Sequence, residues 1–438
     1  MLRSMYSGVS GMKAHMDKMD IVSNNIANVN TVGYKNSRAT FKTMFSQMIQ
    51  GASAPQGGRG GTNPQQIGLG TTLGSIDKDM GQGSLQSTGR NSDLAIQGSG
   101  FFVVSNGNSR RYTKAGSLTK DKNGYLVNSA TGYRVKGWQA DANGEVNTND
   151  PLVDMTFKES MPAQATDEVT YAGNLNASAA NGDTWSTTFE AFDSQGAKHK
   201  VDLEFTKDAA NTWNYQVTHI QDAQGDVEFD NAAGTHAADV SNDQGQIQFT
   251  TNGDYSDAAS GDPTDPAFAI ANSLDALEFN PTYDNDGATD PVSIDLDFSS
   301  MTQFDGEMTA DRNTVSGYKA GSLLDYQFDS SGTITGEYDN GRQQTIGRIA
   351  LASFNNPAGL ASEGETLFNV SNNSGEPNIG APTSGGLGAI KAGSLEMSNV
   401  DLSRQFSEMI TTQRGFQANS KTISTSDQIL QELVNLKR

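Results

Sequence analysis

The N-terminal segment carries apolar residues at a repeating spacing of three and four positions. These residues are Leu2, Met5, Val9, Met12, Met16, Met19, Val22 and Ile26. Such spacing places the apolar side chains in one narrow stripe along an α-helix, as in the seam of a coiled coil. We therefore predict a helix of about 26 residues. We expect it to end between Asn28 and Gly33, because asparagine and glycine suit the left-handed backbone that follows a helix.

The C-terminal segment repeats this pattern with a spacing of seven. The repeating residues are Leu402, Met409, Phe416, Ile423 and Leu430, flanked at the complementary position by Phe406 and Val434. The other complementary positions are polar, so the predicted helix needs a specific partner. Ser398 and Asp401 have the spacing of a capping box, and Lys437 and Arg438 suit a helix C-terminus. We expect the two terminal helices to pair with each other or with another copy; a two-helix hairpin capping a globular domain is the alternative.

The middle of the chain reads as short β-strands separated by turns. Apolar runs such as Phe101–Val104 and Tyr125–Val127 occur before residue 145, and similar runs return at 318–370. Asn123-Gly124 is a strong hairpin signal, and Thr131-Gly132 is a weaker one. More strand-like runs lie between these two sets, so the simplest arrangement is one β domain inserted into another.

The predicted fold is therefore a multidomain α plus all-β protein. Its N- and C-terminal helices pair as a coiled coil, and nested antiparallel β domains of sandwich or barrel type lie between them. The predicted boundaries are a helical domain at 1–30 and 399–438, a connecting region at 31–75 and 393–398, an inner β domain at 76–145 and 303–392, and an outer β domain at 146–302. Residues 51–75 are rich in glycine and by themselves would form a flexible linker. Ile67, Leu69 and Leu73 are apolar residues through which the segment could still become ordered against neighbouring subunits.

The negative charge is confined to the outer domain. The chain has a net charge of −21, and residues 146–302 contain 28 acidic against 4 basic residues. Nucleic acid is an improbable partner for such a surface, because binding to phosphate depends on lysine and arginine. A solvated acidic outer face is the simpler interpretation.

Candidate sites for chemistry are weak. The chain has no cysteine, which excludes disulfides and thiolate chemistry. Gly98-Ser99-Gly100 lacks the third glycine of a dinucleotide loop, and residues 282–287 lack two calcium ligands of an EF-hand loop. His15, His199, His219 and His236 show no metal-ligand spacing. We therefore predict no catalytic residue, cofactor or metal, although a chance pair of carboxylates of the glycosidase type stays open.

The sequence also shows neither a cleavable signal peptide nor a membrane-spanning segment. Met1–Tyr6 is followed by polar and glycine residues rather than by the apolar core of a cleavable signal peptide. No stretch approaches the roughly 18 apolar residues of a membrane span. Signal-peptide export and a membrane anchor are therefore both unsupported.

Two longer segments carry a family resemblance. The run from Ser7 to Met12 is followed by Ser23–Lys35, which contains Asn24, Asn25, Ala27, Asn28, Gly33, Tyr34 and Lys35. At the other end stand Ser398–Leu402, Gln413–Lys421 and Asp427–Leu430. Together these segments resemble the two ends of the bacterial flagellar rod and hook proteins. The outer domain resembles the longer, hook-forming members, since rod members are shorter.

The resemblance implies a structural and not an enzymatic role. Members of this family form a tubular, flexible joint outside the cell, with their terminal helices paired along an inner channel. The implied partners are other copies of the chain, the distal rod protein, the hook-filament junction protein, the hook cap protein and the flagellar type III export apparatus. The resemblance implies no nucleic acid or membrane partner and no cofactor. A distal rod protein and a secreted carbohydrate-active β protein are the alternatives.

Overall fold

The structure is a computed structural model. It describes residues 2–55, 57, 58, 60–107, 109–221, 227–230, 240, 241, 243–256, 276–279 and 291–436. The chain divides into two compact units. Unit 1 comprises Met1–Phe157, Tyr326–Gly336 and Gln344–Arg438, and unit 2 comprises Lys158–Asp325 and Glu337–Gln343.

The described residues form two long helices and a series of short strands. The helices are α1 (Leu2–Ala27) and α2 (Leu402–Leu436). The first strands are β1 (Ser37–Thr43), β2 (Ser46–Gln50), β3 (Gln65–Gly68), β4 (Thr71–Lys78), β5 (Leu85–Ser87), β6 (Leu94–Gln97), β7 (Phe101–Asn106), β8 (Ser109–Thr113), β9 (Leu118–Lys120), β10 (Leu126–Asn128), β11 (Arg134–Gln139), β12 (Val153–Asp154), β13 (Ser160–Met161), β14 (Glu168–Asn176), β15 (Thr184–Phe192), β16 (Lys198–Ala209) and β17 (Thr212–Gln221). They are followed by β18 (Val227–Asp230), β19 (Val240–Ser241), β20 (Gln244–Phe249), β21 (Tyr255–Ser256), β22 (Leu277–Phe279), β23 (Val292–Phe304), β24 (Asp311–Val315), β25 (Gly321–Phe328), β26 (Thr333–Tyr338), β27 (Gln343–Ile349), β28 (Leu351–Ser353), β29 (Ala361–Gly364), β30 (Leu367–Asn369), β31 (Asn378–Gly380), β32 (Ala389–Ala392) and β33 (Ser394–Glu396).

Unit 1 combines the helix pair with a β domain. The main sheet runs in the order β26-β27-β11-β7-β8-β30-β29, and the short strands β5 and β6 pair with β33 and β32 near the C-terminal helix. Its core is apolar, because alternating strand residues such as Phe101, Val103 and Phe368 point to one buried face. The strands that lead into α2 thus pair with strands that follow α1, which ties both chain ends to one domain.

Unit 2 is a β-sandwich. One sheet runs β19-β22-β23-β14-β24 and the other β15-β16-β17-β20-β21, with β18 on β17. Tyr171, Phe205, Trp213 and Phe298 belong to one buried cluster to which strands of both sheets contribute. The acidic side chains can remain in water while the alternate residues of each strand fill this core.

The predicted fold class is confirmed, with one correction. Paired terminal helices flank nested β domains, and the Asn123-Gly124 and Thr131-Gly132 turns join the antiparallel pairs β9–β10 and β10–β11. The sheets are not wholly antiparallel, since β14 and β23 run parallel. Between these two strands the chain passes through the other sheet. Parallel neighbours need such a long connection, because a tight turn can join only antiparallel strands.

The segment that precedes the β domain is more ordered than its glycine content suggests. β1 pairs with β4, β2 pairs with β3, and Ser53 bridges Thr62, so these four strands form one two-stranded ribbon. We call this ribbon the arm. In the part of 51–75 that forms β3 and β4, the order comes from pairing with β2 and β1 of the same copy. Local composition does not reveal these partners, which lie at 37–50.

Candidate polymerisation surface

The terminal helices run antiparallel and meet along small and polar residues. Ser4 Oγ lies 3.4 Å from Ser426 Oγ at one end. At the other end Asn25 Nδ2 donates to Gln405 Oε1 at 3.1 Å. Between them Lys18 Nζ lies 3.6 Å from Glu408 Oε2. These contacts fix both the direction and the register of the pair.

Three glycines let the two helices approach closely. A Cβ built on Gly8 would lie 3.1 Å from Ile423 Cγ1, and one on Gly11 would lie 2.9 Å from the Asn419 amide. On α2, a Cβ on Gly415 would lie 2.6 Å from the His15 ring. Larger residues at these glycines would push the helices apart. The α1 contact positions, Ser4, Gly8, Gly11, His15, Lys18 and Asn25, therefore form the seam.

The predicted apolar stripe lies one residue away from this seam. Because one residue turns a helix by about 100°, Met5, Val9, Met12 and Met16 face beside the partner helix and not into it. Val9 and Met16 are 46% and 49% exposed. Met5, Met12, Met19 and Ile26 are half-buried, Val22 is buried, and Leu2 begins the helix. We call the two exposed residues and the half-buried methionines the α1 edge.

The C-terminal stripe is likewise largely uncovered. Ile423 lies in the seam against Gly8, and Met409, Phe416 and Leu430 are half-buried. The exposed apolar residues are Leu402, Phe406, Ile410, Ile429, Leu433 and Val434, which we call the α2 edge. Ser4 lies opposite Ser426, so the last turns of α2 extend past the start of α1. Both helices thus present apolar side chains that this copy does not cover.

The start of α2 is capped differently from the prediction. Asp401 Oδ1 accepts hydrogen bonds from the backbone N–H groups of Ser403 at 2.9 Å and Arg404 at 3.3 Å, so Asp401 is the N-cap. Ser398 accepts only from Val400 N–H and is not the cap of a capping box. Lys437 and Arg438 lie outside the described residues.

An asparagine cluster joins the end of α1 to the arm. Asn25 is buried, donates to Ser37 O at 2.7 Å and accepts from Ser37 N–H at 3.0 Å. Tyr34 Oη donates to the side-chain oxygens of Asn24 and Asn25, each at 3.1 Å. Asn28 closes the last turn by donating to Asn24 Oδ1 at 2.9 Å. These side chains fix the angle at which the chain leaves the helix.

A buried ion pair fastens this junction to the strand before α2. Lys35 Nζ donates to Glu396 Oε1 at 2.6 Å and to Gly81 O at 2.8 Å, and both charged side chains are fully buried. Lys114 Nζ lies 3.9 Å from Glu396 Oε2. Burial lowers the pKa of Lys114 to about 8, opposed by the Glu396 charge and assisted by Lys35.

Close backbone contacts surround this ion pair. Gly33 has a φ of +71°, and a Cβ there would lie 2.7 Å from Ala115 N. Asn399 accepts from Asn36 N–H at 2.8 Å and donates to Asp79 O at 2.9 Å. Sequence reasoning noted the motif residues here but missed Glu396 and Lys114 as partners of Lys35, because they are distant in the sequence.

Comparison with known proteins identifies the family. The chain matches domain families described as "Flagella basal body rod protein" at 5–35, "Flagellar hook protein FlgE/F/G D1 domain" at 95–171, "Flagellar basal body protein FlaE D2 domain" at 159–318 and "Flagellar basal body rod FlgEFG protein C-terminal" at 391–436. The flagellar hook protein FlgE of Borreliella burgdorferi is 41% identical over the whole of both chains. Those of Treponema pallidum and Escherichia coli are 39% and 32% identical, over 100% and 98% of both chains. The chain belongs to the flagellar hook protein family.

Membership of the hook family makes the chain a structural subunit of the bacterial flagellar hook. Most of the residues that the sequence predicts as a family motif lie in the junction between α1 and the arm. Of the predicted motif set, Asn24, Asn25, Asn28, Tyr34 and Lys35 make the side-chain contacts described above. Gly33 provides the tight turn between them, and Ala27 is the last residue of α1.

In the described part of the chain, the residues considered above as candidates for catalysis or metal binding do not form a catalytic or metal site. Gly98 and Gly100 adopt positive φ angles in a turn before β7. His199 is buried beside Asp193, with Nε2 3.3 Å from Oδ2. Within the described ranges, neither a cluster of three or more metal-ligating side chains nor a helix suited to span a membrane is found. The calcium-like loop at 282–287 and His236 lie outside the described residues.

Proposed function

We propose that this subunit polymerises into the tubular hook through the α1 and α2 edges. The observation that carries the proposal is that α1 and α2 pair through glycine and polar residues and leave apolar side chains exposed on both. The α1 edge groups its apolar residues on one side of the helix, and exposed apolar surface of this kind marks an interaction site. The two edges differ from each other, so contact of one with the other on the next copy is heterologous, which allows an open helical assembly when the rotation between copies does not close into a ring.

We further propose where the polymer lies, how its subunits are exported and which proteins it contacts. The hook lies outside the cell as a flexible joint that transmits torque between the rod and the filament. Its subunits leave through the flagellar type III export apparatus, and its further partners are the distal rod protein, the hook-filament junction protein and the hook cap protein. The chain itself performs no catalysis and takes no cofactor. Support for these points is the family membership. The domain division 1–30/399–438, 31–75/393–398, 76–145/303–392 and 146–302 is part of the same proposal.

The arm is proposed as a second contact between copies. Phe45 is 83% exposed and Met48 is 59% exposed, and Ile49, Ile67 and Ile76 are also exposed. A ribbon of only two strands is marginally stable in water. Docking on a neighbouring copy would bury these side chains, and the glycine-rich tip would let the arm follow changes in subunit spacing.

Point substitutions on the two edges test the polymerisation proposal. Met16→Glu and Phe406→Glu place a charge on exposed apolar positions, so the folded protein should no longer polymerise. Lys13→Glu and Gln417→Glu are the matched controls, because both residues are exposed on the same helices outside the edges. Electron microscopy should show tubes for the controls and none for the edge variants. Normal tubes from both edge variants would overturn the proposal.

A further inference from the structure

One histidine lies where three elements of unit 1 meet. His15 lies on α1, and a Cβ built on Gly415 of α2 would come within 2.6 Å of its ring. The ring also meets Phe41 of the arm edge-on, with 5.6 Å between the ring centroids and an angle of 77°. A single side chain thus contributes both to the helix seam and to the seating of the arm.

The surroundings of His15 suit a neutral ring. Nδ1 is buried and has no hydrogen-bond partner among the described residues. On α1 the facing charge is Lys18, whose partner is Glu408 of α2. On α2 and the arm, the charged residues next to the contacts are the exposed Arg414 and Lys42. No carboxylate in the described part of the chain forms an ion pair with His15 that would compensate a proton on it.

We propose that His15 makes the pairing of the terminal helices and the seating of the arm sensitive to acid. A neutral imidazole packs between Gly415 and Phe41. An imidazolium has N–H donors at both nitrogens, so it buries the Nδ1–H without an acceptor and places a second cation near Lys18. Protonation therefore weakens the contact.

The direction of the pH effect follows from linkage. Burial first, and then the charge of Lys18, hold the pKa of His15 below its ordinary value of 6.5. The unfolded segment binds the proton more readily than the packed one. The contribution of His15 is fully present above pH 6.5 and decreases as the pH falls below that value.

The expected consequence is that acid raises the protein concentration needed for assembly. This consequence rests on the proposed function. His15→Gln keeps a neutral polar side chain of similar size and should remove the pH dependence due to this site. His15→Lys carries a permanent charge and should assemble poorly even near pH 7.5. His219→Gln, in unit 2, is the control.

The experiment measures the critical concentration for polymerisation of the full chain by pelleting between about pH 7.5 and pH 5. For the wild type and His219→Gln it should rise by up to about tenfold per pH unit, the limit for one proton taken up per subunit. For His15→Gln the rise should be smaller. Equal pH dependence of wild type and His15→Gln overturns the inference.

A failure of the proposed function would look different. In that case none of the four proteins forms polymer at any pH. Hydrogen exchange of the α1 and α2 amides in the monomer then tests His15 directly. Protection that falls with acid in the wild type but not in His15→Gln supports the inference, and identical protection in both overturns it.

Discussion

At the residue scale, the junction below the helix pair depends on charges that are separated by most of the chain. Lys35 and Glu396 are 361 positions apart, yet their side chains meet at 2.6 Å and are fully buried. Gly83 N–H also donates to Glu396 Oε1 at 2.9 Å. A buried ion pair adds little stability over an apolar pair, but removal of one partner leaves an uncompensated charge. The pair therefore fixes which strands meet at the base of the helices.

Lys35→Met tests this role of the ion pair. The variant leaves the buried Glu396 carboxylate with only Lys114, whose Nζ lies 3.9 Å from Oε2, as a cationic partner, so the free energy of unfolding of unit 1 should fall by up to about 3–5 kcal/mol. A triple variant, Lys35→Met with Lys114→Met and Glu396→Leu, should lose less, because it removes all three buried charges. Lys42→Met, at an exposed position of β1, is the control and should change little. Calorimetry of the full chain measures these effects, and equal losses in the single and triple variants would contradict the argument.

At the element scale, the arm shows how two weak strands obtain a defined structure. β1 and β4 contact α1, and Thr71 N–H donates to Ser10 Oγ at 3.3 Å. Farther out, β2 and β3 pair with each other, and all their residues are exposed. The arm is therefore held against α1 at its base, β1 and β4. Its outer part, β2 and β3, is exposed and available for contacts with another copy.

Shortening the arm tests its role as a joint. Deletion of Gly57–Asn63 should leave β1 and β4 paired and polymers intact, but should change the bending stiffness of the tubes because it removes the glycine-rich segment that lets the arm follow changes in subunit spacing. Replacement of the same residues by a glycine-serine segment of equal length is the control. Stiffness is measured from the curvature of single tubes by electron microscopy. If the stiffness is unchanged, and hydrogen exchange at 51–75 is equally fast in monomer and polymer, the arm only connects its flanking segments and does not affect bending.

At the scale of the whole molecule, negative charge is segregated from the proposed assembly surface. Residues 146–302 carry 28 acidic and 4 basic residues against a net charge of −21 for the chain, so the remainder is close to neutral. The helices and arm present apolar groups, and unit 2 presents carboxylates. Crowding of copies in a tube brings the acidic units close, and their repulsion opposes assembly.

Salt should therefore favour polymerisation. The screening length falls from about 30 Å at 0.01 M to about 10 Å at 0.1 M, so the critical concentration should fall over this range. Asp208→Asn, Asp305→Asn and Glu307→Gln neutralise three exposed positions of unit 2, and together they should reduce the salt dependence. A critical concentration that does not change with salt concentration would mean that the acidic units of neighbouring copies do not face one another.

The sequence by itself determined the elements, because their signals are local. Heptad spacing gave helices close to the observed Leu2–Ala27 and Leu402–Leu436, apolar runs and Asn-Gly turns gave many of the strands, and long terminal motifs gave the family. Only the tertiary structure decided which faces meet. The seam is centred on Gly8, Gly11 and Gly415, with Ile423 against Gly8, and most of the predicted apolar stripes lie outside it. Sequence could not show this, because close backbone approach and polar register contacts depend on both helices at once. The Lys35–Glu396 pair and the strands of the arm depend in the same way on residues remote from them in the sequence.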